Sequence, residues 1–145
     1  IAAEWAQSAA RVGPTSTYVS FANGCAGTLP ATRLVPRGTP RIGGVLEVTL
    51  FDLPQSIAIM VLGWASTTPI SLTPLGLPNC FARVGLDASY LVSGQNGQAK
   101  SQLPIPSDPN LVGLRFFNQA LVFDPAANTL GAVVSDAAEG IVGHW

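Results

Sequence analysis

Between Leu111 and Phe123 the side chains alternate in a way that only a pleated strand can use. Val112, Leu114, Phe116, Asn118, Ala120 and Val122 share one face. Leu111, Gly113, Arg115, Phe117, Gln119, Leu121 and Phe123 share the other. A two-residue period is how a strand divides its side chains between the sides of a sheet. Neither side is fully polar, so both are expected to meet protein, and Arg115 and Gln119 then need partners. The turn-rich Asp124–Asn128 leads to a second apolar strand, Leu130–Ser135. This stretch, from Leu103 to Ser135, fixes a β architecture but carries no reaction chemistry.

The rest of the chain supports that architecture. Thr15–Ala22 alternates and reads as the first good strand, and Asn23–Gly44 is irregular, with at most a short strand piece at Thr32–Val35. Val45–Phe51 and Ser56–Ala65 are strands apolar on both sides, which marks them as central. The turn Asp52–Gln55 predicts that they pair as a hairpin. Ser66–Asn79 is turn-rich, Cys80–Leu86 is a strand, and Ser89–Val92 returns through Gly94-Gln95-Asn96-Gly97 into Gln98–Pro104. That last strand has one wet side, so it reads as an edge, with Lys100 discouraging stray pairing. Asp136–Trp145 reads as a tail. Many short strands without a βαβ rhythm give an all-β, antiparallel sandwich or jelly roll over residues 15–145. Residues 1–14 form an N-terminal arm: its Ala-rich start is helix-prone, and Pro14 ends it.

Composition then narrows the setting. The chain has 145 residues, enough for one domain with a full core, and only 10% of them are charged against about 25% in ordinary soluble domains. Its net charge of −1 excludes a basic stripe for nucleic acid and attachment to an anionic membrane surface. No apolar run reaches the roughly 18 residues of a bilayer-spanning helix. A surface so poor in ionised groups must be clothed in neutral polar residues or covered by another chain.

Cys25 and Cys80 lie in turn-rich settings, too far apart for a CxxC pair. As a disulfide they would close a loop of about 55 residues, worth about 4 kcal/mol in the chain-entropy model. As free thiols they would be small core residues. A start at Ile1 rather than Met matches a mature secreted chain, and a bridge points outside the cytoplasm.

A series of short motifs then carries a resemblance. In order they are Phe21-Ala22-Asn23-Gly24-Cys25, Pro40-Arg41-Ile42-Gly43-Gly44, Leu62-Gly63-Trp64, Leu75-Gly76-Leu77-Pro78-Asn79-Cys80 and Leu103-Pro104-Ile105-Pro106. Leu111-Val112-Gly113, Asn118-Gln119-Ala120, Asp124-Pro125 and Gly131–Ser135 follow. The set resembles a Cys-paired β-sandwich domain found near the C-terminus of large secreted proteins of environmental bacteria, and it spans Phe21 to Ala137. The resemblance implies the Cys25–Cys80 bridge and an extracellular setting, and it brings no catalytic residues. Asn79 departs from it, standing where a glycine is expected. If the chain is complete, no long catalytic partner is expected before this domain, and the module stands alone.

Chemistry-bearing constellations are sparse. His144 is the sole histidine and lacks a GxSxG context, so no hydrolytic triad is expected. Zinc lacks ligands. Asp52, Asp87, Asp108, Asp124 and Asp136 could serve calcium, but Asp in such turns is ordinary turn chemistry. No P-loop or GxGxxG is present, and no metal or cofactor is expected. Arg33, Arg37 and Arg41 are spaced by four but separated by prolines, which favours solvated loop residues over a carboxylate-binding patch.

These features suggest a non-catalytic, extracellular structural protein that assembles with copies of itself into a filament or surface layer. Trp5, Ala6 and Ala9 at one end and Ile141, Val142 and Trp145 at the other would form the interface. The alternative is a secreted carbohydrate-binding or surface-attachment module that stacks sugars on Tyr18, Trp64 or Tyr90, although Trp64 reads most simply as a core aromatic.

Overall fold

A computed structural model describes residues 14–145. Trp5, Ala6 and Ala9, like the rest of residues 1–13, lie outside the described residues.

Ten strands make an all-β, sandwich-like fold. They are β1 (Thr17–Ala22), β2 (Leu34–Arg37), β3 (Val45–Leu50), β4 (Ile57–Gly63), β5 (Ser66–Ser71), β6 (Phe81–Val84), β7 (Ala88–Gln95), β8 (Gln98–Pro104), β9 (Arg115–Phe123) and β10 (Ala132–Ile141). Eight form a single antiparallel sheet in the order β1-β10-β9-β4-β7-β8-β3-β2, rolled until it nearly closes; β5 and β6 pair separately. The fold class is as the alternation predicts.

Strand β7 makes the corner. Ala88–Ser93 pairs with β4, whereas Gly94 and Gln95 pair with β8. At Gly94 a Cβ would stand 2.0 Å from the Gln98 carbonyl oxygen, so only glycine lets the strands approach this closely. The tight turn that follows uses Asn96 and Gly97, both at positive φ (58° and 77°), the twist that matches a two-residue hairpin.

Several expectations about neighbours fail. Strands β3 and β4 form no hairpin: β3 lies between β2 and β8, and β4 between β7 and β9. Asp52 and Ser56 take left-handed conformations (φ 58° and 55°), and the chain swings away between them. Strand β8 is interior, and the two edges are β1 and β2. Lys100 on its wet face meets Glu47 of β3 at 3.5 Å instead of guarding an edge. Ser66–Asn79 holds the strand β5, whose register is broken between Ser66 and Ile70 around Pro69, a residue that cannot donate to a ladder. The supposed tail is largely β10, and Leu111 lies in a 3-10 turn ahead of β9.

The core fills the inside of the roll. Leu46, Val48 and Leu50 from β3 meet Ala58 and Met60 from β4, and Phe116, Ala120 and Val122 from β9. Outside the roll, the β5–β6 pair covers a second small cluster of Val84, Phe117 and Ala137. The polar residues of β9 find partners, Arg115 at an exposed position and Gln119 at a buried one. Arg115 meets Glu139 at 3.7 Å. The Gln119 side chain accepts from the Arg83 backbone N–H (3.0 Å) and donates to the Phe81 carbonyl (3.0 Å), docking β6 on the sheet.

The roll is tied shut at two places on either side of β1. At one, the Asp136 N–H donates to the Thr32 carbonyl (3.2 Å). At the other, the Ile42 N–H donates to Gly143 (3.0 Å) and the Gly143 N–H to Pro40 (3.1 Å). Beside the second tie the Ser16 N–H donates to the Trp145 carbonyl (2.7 Å), and the His144 N–H to Pro14 (3.0 Å).

Candidate functional site

One cavity is the slot where β1 and β2 fail to meet. It has a volume of about 470 Å³ and is lined by Tyr18 and Ser20 of β1, Asn23 and Gly24 beyond it, the segment from Ala31 to Pro36, and Asp136. A bulge in β10, where the register shifts between Val134 and Ala137, aims Asp136 into this seam. Ser135 holds the bulge: its hydroxyl accepts from the Ala120 N–H (2.8 Å) and donates to the Asp136 carbonyl (2.7 Å). The Asp136 carboxylate, 7% exposed, accepts from the Leu34 N–H at 2.8 Å and from the Ser20 hydroxyl at 3.0 Å. It therefore joins β1, β10 and β2. Burial raises its carboxyl above the ordinary value, while the Leu34 and Ser20 hydrogen bonds and the charge of Arg33 oppose the rise.

Tyr18 forms part of the slot floor. The expectation that it is an exposed stacking platform is wrong: it is 8% exposed, and its hydroxyl donates to Asn118 Oδ1 at 3.0 Å. Inward parity on β1 places its ring near Phe116, with centroids 6.3 Å apart. Burial, then the Asp136 charge, then Tyr90 push its hydroxyl far up, which keeps it a donor. Asn118 completes the network by donating to the Val61 carbonyl at 3.1 Å.

Two apolar clefts lie on the outside. The first, about 340 Å³, runs between the β5–β6 pair and the sheet, lined by Leu72, Leu77, Leu121 and Val134 among others. Its rim carries Leu86 (77% exposed), Leu75 (64%) and Leu130 (54%). Among the described residues no charged side chain lines it. The second, about 220 Å³, lies among Trp64, Leu103, Ile105, Pro106, Leu114 and Phe116. Trp64 is 53% exposed there, not the core aromatic its flanking residues suggest.

The remaining predicted residues scatter. Tyr90 is half-buried and shares a 2.7 Å hydrogen bond with Ser101, so only part of its ring is free; burial raises its hydroxyl, against that bond. Ile141 is half-buried in the ladder, opposite Thr17 and Arg115. Val142 is buried in the core, a correction to its place in an assembly surface, because its N–H donates to Leu114 and draws it inward. Trp145 stays at the rim, with its ring 6.4 Å from that of exposed His144. The structure does not bring the aspartates together. Asp124 binds Thr28, Asp87 the Trp64 N–H, and Asp108 the Asn110 N–H. Among the described residues no three His, Cys, Asp or Glu side chains stand together as metal ligands. Arg33, Arg37 and Arg41 are all exposed.

Cys25 and Cys80 form the disulfide, linking the end of β1 to the start of β6. Asn79 adopts a positive φ of 63°, so it makes the turn a glycine would make before Cys80. The bridge is compatible with an extracellular location, and among the described residues no helix is long and apolar enough to cross a membrane.

Sequence reasoning missed the leucine rim and undervalued Asp136. The signal for the latter was present: Ser135-Asp136 interrupts an otherwise apolar strand, and a polar pair inside a buried strand marks a bulge. The rim leucines carried no signal, because each lies in a different segment. No family model matches the chain, and no curated protein or solved structure matches it either.

Proposed function

We propose that this is a non-catalytic, extracellular structural protein that assembles with copies of itself. One observation carries the reading: the leucine-rimmed cleft, with Leu86, Leu75 and Leu130 turned to solvent around a floor of aliphatic side chains. Isolated apolar residues on a surface are normal, but a contiguous apolar patch marks a contact surface. With no charge in its lining, this cleft gives a charged partner nothing to pair with, whereas a second apolar patch of the same kind suits it. A net charge of −1 offers little repulsion between copies. Trp5, Ala6 and Ala9, which lie outside the described residues, belong to this reading as a second contact taken from the sequence alone. The disulfide and the resemblance to secreted bacterial Cys-paired domains support placement outside the cell.

Light scattering coupled to size-exclusion chromatography tests this. The wild-type chain is expected to grow in mass with concentration, and Leu86→Glu and Leu75→Glu are expected to return it to a monomer with unchanged melting temperature. A wild-type chain that stays monomeric to millimolar concentration overturns the reading. Exposed Trp64 favours the carbohydrate-binding alternative, but the Trp64 cleft lacks polar side chains to hold sugar hydroxyls.

A further inference from the structure

We propose that the slot between β1 and β2 binds a short neutral oligosaccharide, of di- or trisaccharide size. The inference is independent of self-assembly and uses a different face of the roll.

The slot is a built cavity in the wall. Its volume of about 470 Å³ falls within the roughly 300–1,000 Å³ of small-molecule sites. Ser20 shows that the wall is open here. It has the same inward parity as buried Tyr18, yet it is exposed, because no strand among the described residues lies beside it.

Polar groups converge on the slot with capacity to spare. Asn23 and Arg33 are exposed on its lining and have no hydrogen-bond or ion-pair partner among the described residues. Each carboxylate oxygen of Asp136 accepts one hydrogen bond, although a carboxylate has about four acceptor sites. Ligand hydroxyls can therefore donate to Asp136 and accept from Arg33 and Asn23. The carbon surfaces of Leu34, Val35 and Pro36 line the same slot and suit the C–H faces of a sugar ring.

Competing occupants fit less well. An inserted strand would need free donors along β2, but that strand has four residues, its Leu34 N–H is taken by Asp136, and Pro36 has none. A wholly apolar ligand would strand these polar groups. A strongly charged one would meet both signs, since Arg33 and Asp136 share the lining.

Calorimetric titration of the full chain tests the proposal. The probes are a panel of neutral trisaccharides (cellotriose, mannotriose, maltotriose and triacetylchitotriose), with glycylglycine and a peptide of residues 1–13 as comparators. At least one trisaccharide is expected to bind. Arg33→Ala should weaken that binding about tenfold, as expected for one lost hydrogen bond to a charged group. Asn23→Ala should weaken it less, and Trp64→Ala should leave it unchanged. Both slot substitutions are at exposed positions, so matching melting curves establish that the variants fold. The proposal is overturned if no trisaccharide binds, if only glycylglycine or the arm peptide binds, or if binding is lost with Trp64 and kept without Arg33 and Asn23.

Discussion

Gln119 of β9 grips the backbone on either side of Ala82: its side-chain oxygen accepts from the Arg83 N–H and its nitrogen donates to the Phe81 carbonyl, each at 3.0 Å. One side chain thus takes the place of a neighbouring strand for β6. The same nitrogen also reaches the Ser135 carbonyl at 3.3 Å, tying the outer strand pair to the β10 bulge. Gln119→Leu should leave the part-buried Arg83 N–H and Phe81 carbonyl without this partner, at a cost of about 1 kcal/mol. Urea denaturation should show that loss, and limited proteolysis should show earlier cleavage near β5 and β6. Unchanged cleavage there would mean that the apolar contacts of Phe117 and Val84 hold the pair unaided.

The Cys25–Cys80 bridge anchors the same pair next to that grip, at the start of β6. Because it spans 55 residues, its removal loosens the unfolded chain considerably. Reduction, or replacement of both cysteines by serine, should cost about 2–5 kcal/mol, read as a lower melting temperature by calorimetry. Combined with Gln119→Leu, the total loss should depart from the sum of the two single losses, since both act on one element.

Asp136 makes stability depend on pH in an uncommon direction for a carboxylate. Its folded value is raised above 3.8, chiefly by burial. Below the unfolded value both states are protonated and the stabilising contribution is complete. As pH rises, the unfolded chain ionises first, and the contribution is lost until the raised folded value has been passed. Denaturation curves across this window should show wild type losing stability relative to Asp136→Asn as pH increases. A difference that grows in the opposite direction would refute the burial argument.

Tyr18→Phe removes one hydroxyl and leaves the ring beside Phe116. Asn118 then loses its donor inside the core, where water has no ready access. A loss of about 1–2 kcal/mol in urea denaturation is expected. The double change Tyr18→Phe with Asn118→Leu removes both partners of that bond and should restore only part of the loss, because the Val61 carbonyl then loses the Asn118 donor.

Alternation told the faces of the sheet but not its neighbours. Ala99, Ser101 and Leu103 turn inward, and Gln98, Lys100 and Gln102 outward, as their sequence order implies. Nothing in that order says that β3 follows β8 across the sheet, because partner choice depends on how the whole roll packs. The Asn96-Gly97 turn was legible because its backbone conformation is local. Strand β5 was hidden by Pro69, whose usual meaning is a loop. Trp64 and Tyr18 exchanged their expected roles for a related reason: hydrophobicity does not report which side of a wall a ring ends on. Legible parts of the slot were Asp136 and Arg33 as residues. Their meeting across the seam, 102 positions apart for Asp136 and the Leu34 N–H, was not.

The pairing of Ser16 with Trp145, and of Pro14 with His144, brings the incoming and outgoing chain to one spot on the body. A unit threaded this way can be spliced into a surface loop of a host protein without prying that loop open. It also gives a natural joint for circular permutation: linking Trp145 to Pro14 by a few glycines and opening the chain at Asn96-Gly97 should preserve the roll.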